Sequence, residues 1–306
     1  MTENPRFVIL DDRGLLAVTG PDRVSFLQGL VSNDMEKAGP DRAVYAALLS
    51  PQGKYLYDFF VIELDGALLL DCERAGLKGL AKRLSLYKLR AEVTIEDRSD
   101  ELCVAALFGD GALAALALAH EPGAALAFGG GMAFTDPRLT AVGGRSVLPR
   151  PEAEAALIAT GCDPAEASDY DSLRLHLGLP DASRDLIAEK SILLEGGFDE
   201  LNGVDWDKGC YMGQELTART KYRGLIKKRL MPVSFDGPPP EPGTPVMAGE
   251  KEAGEVRSSL QTAGGGIGLA LMRLAPMAEA AETGADLLAE GIKVTPTRPD
   301  WMKLPD

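Results

Sequence analysis

The residues best suited to chemistry lie between Lys208 and Arg219, which read KGCYMGQELTAR. Cys210 is flanked by glycines at 209 and 213. Glycine admits positive φ and close backbone approach, which suits a tight exposed turn. Gln214 to Thr220 read as the start of a helix, and the free N–H groups of a helix N-terminus stabilise a thiolate. Lys208 adds a cation two residues away. The expectation is a thiol with a lowered pKa, able to attack an electrophile or to ligate iron. The alternative is a small residue filling space beside a turn.

The other three cysteines have plainer settings. Cys72 in LLLDCER and Cys103 in ELCVAAL sit in strand-like runs and read as small buried hydrophobes, and Cys162 lies in a loop, GCDP. There is no CxxC pair, and His120 and His176 are the only histidines. Neither a disulfide framework nor a zinc site built by this chain is expected.

The elements that must position Cys210 follow from periodicity. Asp22 precedes a short helix carrying Val24, Phe26, Leu27 and Leu30. Strand-like runs from Val44 to Cys72 are broken by turns at Pro51–Gly53 and Asp65–Gly66. LKGLAKRLSLYKLR has a helical period and a cationic face. A further helix is expected in the Ala/Leu-rich segment after Gly109, a loop over 123–131, and helices over PEAEAALIAT and Ser168–Leu177. From Lys227 onward short strands alternate with Gly/Pro turns, which reads as a small β-barrel or sandwich. The domain boundary is placed near Leu225.

Composition narrows the function class. The 306 residues carry a formal net charge of −14, which argues against a general nucleic-acid binder. No apolar run approaches the ~18 residues a membrane helix needs. The N-terminal MTENPRF lacks a signal pattern, so a cytoplasmic location is expected. One stretch opposes the overall charge: Arg219, Lys221, Arg223, Lys227, Lys228 and Arg229 occur with no Asp or Glu between Leu216 and Phe235.

K-G-C-Y-x-G-Q-E at 208–215, followed by Ala218-Arg219 and by Tyr222–Gly224, resembles the signature of the YgfZ family. These folate-binding proteins serve iron–sulfur cluster assembly or repair and are similar to the aminomethyltransferase of the glycine cleavage system. FLQGLVSNDM (26–35), LLSPQGKYLYDFFV (48–61), LRLHLGLP (173–180) and the Leu193–Glu195 region extend the resemblance over nearly the whole chain. It implies an α+β fold of the aminomethyltransferase type: two interleaved α+β subdomains over residues 1–225, a C-terminal β-barrel over 226–306, and a central folate cleft.

The implied cofactor is tetrahydrofolate, polyglutamylated in the cell, with a transient iron–sulfur cluster on Cys210. A pterin wants an apolar or aromatic face and a carboxylate at its hydrogen-bonding edge. Asp58 and Glu195 are the candidate carboxylates, Tyr170 the candidate stacking face, and Arg174 the candidate fork for a glutamate carboxylate. The motif adds Tyr211, Gln214, Glu215, Arg219 and Arg223 as cofactor contacts, and Lys208 and Cys210 as the reactive pair. The basic stretch is expected to hold the folate's glutamate tail. Implied partners are iron–sulfur carriers or clients, with the chain itself a monomer that touches neither nucleic acid nor membrane. One departure stands out: Tyr57 and Asp58 occupy the place of the aminomethyltransferases' Asp-Asp pair. A single carboxylate weighs against aminomethyl transfer. The alternative function is a tetrahydrofolate-dependent transferase or demethylase with Cys210 as nucleophile.

Overall fold

Short, largely buried apolar strands set the architecture of the computed structural model, which describes residues 4–224 and 226–304. The expected boundary at Leu225 lies outside the described residues. Two units emerge. The first takes the described residues through Pro51, Leu56–Tyr170 and Leu201–Gln214; the second takes Gln52–Tyr55, Asp171–Glu200 and the described residues from Glu215 onward.

In the first unit a five-stranded sheet runs in the order Val44–Leu49, Tyr55–Leu64, Ala67–Glu73, Arg13–Thr19, Thr94–Asp97. The turn between its second and third members has Asp65 at φ 51° and Gly66 at φ 76°, the paired positive values of a type I′ hairpin. Successive side chains on a strand point to opposite faces. Leu16, Val18, Phe59, Val61, Leu68 and Leu70 therefore share one face, where they bury Phe26 and Leu27 of the helix Arg23–Gln28 and Leu77, Leu80 and Leu84 of the helix Leu77–Tyr87. A six-stranded sheet contains Arg6–Ile9, Leu102–Phe108, Gly144–Pro149, Gly131–Thr135 and Ala125–Phe128, with Asp163–Pro164 at its edge. It packs Phe7, Leu107, Ala133 and Leu148 against the helices Ala112–Ala115 and Ala153–Ile158. Two expectations change here. The Ala/Leu run after Gly109 is helical only over Ala112–Ala115, and the expected loop over 123–131 contains the strand Ala125–Phe128.

The second unit is built on a closed six-stranded barrel. Lys228–Phe235 pairs with Gly265–Arg273 on one side and with Ile292–Pro296 on the other, and Lys251–Thr262, Pro245–Ala248 and Leu287–Ala289 complete the ring. Val233, Phe235, Val246, Val256, Ala270 and Met272 fill its interior. Among the described residues no helix is long and apolar enough to cross a membrane.

Candidate functional site

Cys210 is exposed, whereas Cys72, Cys103 and Cys162 are buried. Burial pushes the Cys72 thiol up to about 12 and raises that of Cys103 as well. The Cys210 loop is held by the residue expected to activate it. The Lys208 ammonium donates to three backbone carbonyls, those of Gln28 (2.8 Å), Val31 (2.6 Å) and Asn33 (2.7 Å). These carbonyls lie at and just beyond the C-terminal end of the helix Arg23–Gln28, where backbone acceptors lack partners and a cation is favoured. Burial pushes the ammonium down to about 8, against the pull of Asp34 and Asp205.

Further bonds tie the loop to the same turn. Asp205 N donates to Ser32 O and Met212 N to Gly29 O, at 3.0 and 3.1 Å. The Ser32 hydroxyl donates to Gly203 O at 2.6 Å. Lys208 Nζ also stands 5.2 Å from the centre of the buried Tyr211 ring. Gly209 and Gly213 have φ of 85° and 80° and set the turn. Gln214 Oε1 accepts from Tyr211 N at 3.2 Å and opens the helix Gln214–Tyr222, four residues beyond the thiol. The two features expected to stabilise a thiolate are therefore placed otherwise: the cation is turned into carbonyls, and the helix begins later. Glu215, Arg219 and Arg223 are exposed.

Beside this loop lies a cleft of about 320 Å³, lined by Asn33, Val44, Pro137, Asn202, Val204 and Asp205 among others. Its charged rims are paired, Lys37 with Asp205 and Arg42 with Glu121. Burial would raise the Asp205 carboxyl, but the Lys37 bond and charge, together with bonds from the backbone N–H groups of Asp207 and Lys208, outweigh it and hold the group below its ordinary value.

Asp58 and Tyr170 belong to a buried polar cluster between the two sheets of the first unit. Tyr45 donates its hydroxyl to Asp58 at 2.9 Å. Asp71 accepts from Arg13 Nε at 2.7 Å and from Arg145 Nη2 at 2.8 Å, and Arg145 Nη1 donates to the Tyr170 hydroxyl at 3.2 Å. Asp136 binds Arg138 through both carboxylate oxygens. The Arg13, Arg138 and Arg145 guanidinium groups surround the Phe60 ring at 5.8, 4.9 and 4.3 Å. The Tyr170 ring packs on Phe108 at 5.7 Å. Sequence reasoning missed this cluster. Its one local signal is Asp71, which interrupts the otherwise apolar run Ala67–Cys72.

In the second unit Arg174 is buried and engaged. It donates to Asp171, to Asp185 at 2.7 Å, to Leu179 O at 3.2 Å and to Ser258 Oγ at 3.2 Å. Its fork meets carboxylates of this chain. Glu195 lies in the short helix Leu193–Gly196. Burial raises its carboxyl above the ordinary value, while Lys228, Lys54 and Arg257 pull it back. The basic stretch divides: Lys221 pairs with Asp199, and Arg229 is wholly buried against Glu200 and the Leu194 carbonyl.

Residues 227–304 match the family model of the CAF17 C-terminal beta-barrel domain, and residues 11–133 that of the GCVT N-terminal domain. The chain is 36% identical over 282 residues to the mouse (Mus musculus) "Iron-sulfur cluster assembly factor IBA57, mitochondrial", covering 86% of this chain and 76% of the relative. The human (Homo sapiens) protein of the same name is 36% identical over 279 residues with the same coverage. This chain belongs to the IBA57 family. The resemblance read from the motif pointed to the YgfZ family; the similar proteins carry the IBA57 name instead. The IBA57 relatives are named as mitochondrial, which overturns the cytoplasmic expectation: the N-terminal composition on which it rested does not decide the compartment. Among solved structures, the glycine cleavage system aminomethyltransferase T from Bartonella henselae superimposes with a TM-score of 0.78, covering 98% of this chain and 87% of that one at 16% identity. That likeness shows the fold alone, and the IBA57-family chain has the α+β aminomethyltransferase fold with a closed C-terminal barrel.

Proposed function

We propose that this protein assists the assembly of iron–sulfur clusters, with Cys210 as a transient cluster ligand and tetrahydrofolate as a bound cofactor. The observation that carries the reading is the contrast among the thiols: one cysteine is exposed on a loop braced at several points, and three are buried. An exposed thiol on a fixed loop can meet a metal cluster held by another protein, and thiolate is the preferred ligand of iron–sulfur clusters. Among the described residues no three His, Cys, Asp or Glu side chains converge on a metal position, so the remaining ligands come from the cluster's donor or acceptor. The IBA57 names of the relatives support the same process.

Tetrahydrofolate is the proposed cofactor because Glu195 offers a half-buried carboxylate to the donor edge of a pterin, with Lys54, Lys228 and Arg257 near it to meet anionic parts of the ligand. Asp58, Tyr170 and Arg174 act in this reading by holding the surrounding structure, since each is engaged with its own neighbours. The test assays iron–sulfur enzymes in cells lacking the protein, rescued with wild type or Cys210→Ser. The serine protein is expected to fold, to bind tetrahydrofolate and to fail in rescue. Full rescue by the serine protein would remove the thiol from the mechanism.

A further inference from the structure

The helix Leu77–Tyr87 turns Leu77, Leu80 and Leu84 into the core of the first unit, which leaves its opposite side to solvent. That side is strongly one-signed. From Arg74 to Arg90 the chain carries Arg74, Lys78, Lys82, Arg83, Lys88 and Arg90 and no acidic residue, within a molecule of net charge −14. Lys78, Lys82 and Leu86 follow one another at i, i+4, i+8 and so form a single stripe along the helix. Leu86 is 65% exposed and Leu89, in the turn beyond, 90% exposed. Leu89 also holds φ at 44°, in the left-handed region that glycine or asparagine occupies at lower cost. Bonds from Ala91 N to Lys88 O at 2.7 Å and from Lys88 N to Ser85 O at 3.3 Å close the turn that presents it. Position 89 is thus unfavourable twice, once for its backbone and once for its exposed apolar side chain. Neither choice helps the folded chain by itself.

We propose that Lys78, Lys82, Leu86, Lys88, Leu89 and Arg90 form a docking surface for an acidic protein, with Leu89 entering a shallow apolar socket ringed by carboxylates. Charge complementarity selects the partner class. A duplex or single-stranded nucleic acid would meet the cations but leave the two leucines without a role. An anionic membrane would meet both, yet the exposed Glu92 follows two residues after Arg90 and would be carried toward the same headgroups. A protein surface can place its acidic groups opposite the cations and away from this carboxylate. The inference does not depend on the role of Cys210.

The test uses the full chain in its own cells, with a benzophenone amino acid at position 86. Irradiation is expected to give one main adduct, identified by mass spectrometry as a protein of net negative charge. The triple variant Lys82→Glu, Lys88→Glu, Arg90→Glu should lower adduct yield about ten-fold or more, since several exposed ion pairs are lost and replaced by repulsion. Its thermal midpoint should stay within a few degrees of wild type, because the three side chains are solvated. Leu89→Gly separates docking from folding: glycine accepts the positive φ, so the midpoint stays equal or rises, while adduct yield falls. Reversing a carboxylate of the captured protein to lysine should restore its capture by the triple variant. An adduct with lipid or nucleic acid would overturn the proposal. So would yields no higher than with the probe at Ile158, or yields unmoved by either variant.

Discussion

In the proposed reading the Glu195 carboxylate serves binding against stability. Burial raises its pKa in the folded chain. Between its unfolded value of 4.5 and that raised value the folded state binds the proton more tightly, so its contribution to stability falls as pH rises through this window. Above the window the ionised group remains partly desolvated at a cost. Glu195→Gln removes the charge while keeping the shape, and at pH 7.5 it should leave the protein as stable or more stable, within roughly 1 kcal/mol. The same change should weaken tetrahydrofolate binding about ten-fold or more, because a hydrogen bond to a charged group is lost. Calorimetric titration and thermal unfolding read the two effects. A structural carboxylate would lose stability and leave affinity alone, which is the opposite pattern. At this scale the sequence was informative where chemistry was local. Cys210 stood out from the other cysteines by its glycines, and among the four it is the exposed one. The reach of Lys208 was not legible, because its acceptors lie some 175 to 180 residues earlier in the chain.

Lys208 belongs to the scale of elements, since its ammonium joins the Cys210 loop to the end of the helix Arg23–Gln28. Lys208→Met keeps the length of the side chain and deletes all three donors. The carbonyls of Gln28, Val31 and Asn33 then lose their partner, and Val31 has no exposed surface through which water could replace it. A loss of about 2–4 kcal/mol is expected by urea unfolding. Hydrogen exchange should show protection falling first at residues 28–33 and 205–212, with the five-stranded sheet unaffected. Arginine should not rescue, because a planar guanidinium cannot aim three N–H groups at three converging carbonyls. Unchanged exchange at both segments would show that the clamp is dispensable. The strands and turns of this unit were legible because short apolar runs bounded by turn residues, with an Asp-Gly turn between two of them, are local signals. The Ala/Leu run after Gly109 misled because alanine and leucine serve a helix and a packed loop alike. Its helix stops at Ala115, after a single turn. The strand Ala125–Phe128 was hidden by flanking glycines, whose positive φ values build the hairpin that follows it.

The barrel was legible as a run of short strands, but its dependence on the rest of the chain was not. Family matching draws the barrel at residues 227–304, whereas the compact second unit also takes Asp171–Glu200 and Gln52–Tyr55. The reason is a set of contacts from the barrel to that earlier segment. Arg229, with no exposed surface, donates to Leu194 O at 2.7 Å and to Glu200 at 3.0 Å. Ser258 binds Asp185 at 2.5 Å and Arg174 at 3.2 Å, and Trp301 Nε1 donates to Leu177 O at 2.7 Å. Leu175 packs with Leu230 and Leu269 of the barrel wall. A fragment of residues 227–306 would strip every one of these partners away. Its Arg229 would leave a charge inside a small domain with nothing to neutralise it, a defect that costs about 3–5 kcal/mol where measured. A domain of this size has little stability to spare. The fragment is therefore expected to give a collapsed proton–nitrogen correlation spectrum and a broad thermal transition. A fragment of residues 171–306, which restores Arg174, Asp185, Leu194 and Glu200, should give dispersed peaks and a cooperative transition. Within the shorter fragment, Arg229→Met should recover part of the dispersion, because a methionine fills the same volume without a charge. Cooperative folding of the unaltered shorter fragment would show that the barrel carries its own stability, and that its contacts with Asp171–Glu200 serve to position that segment.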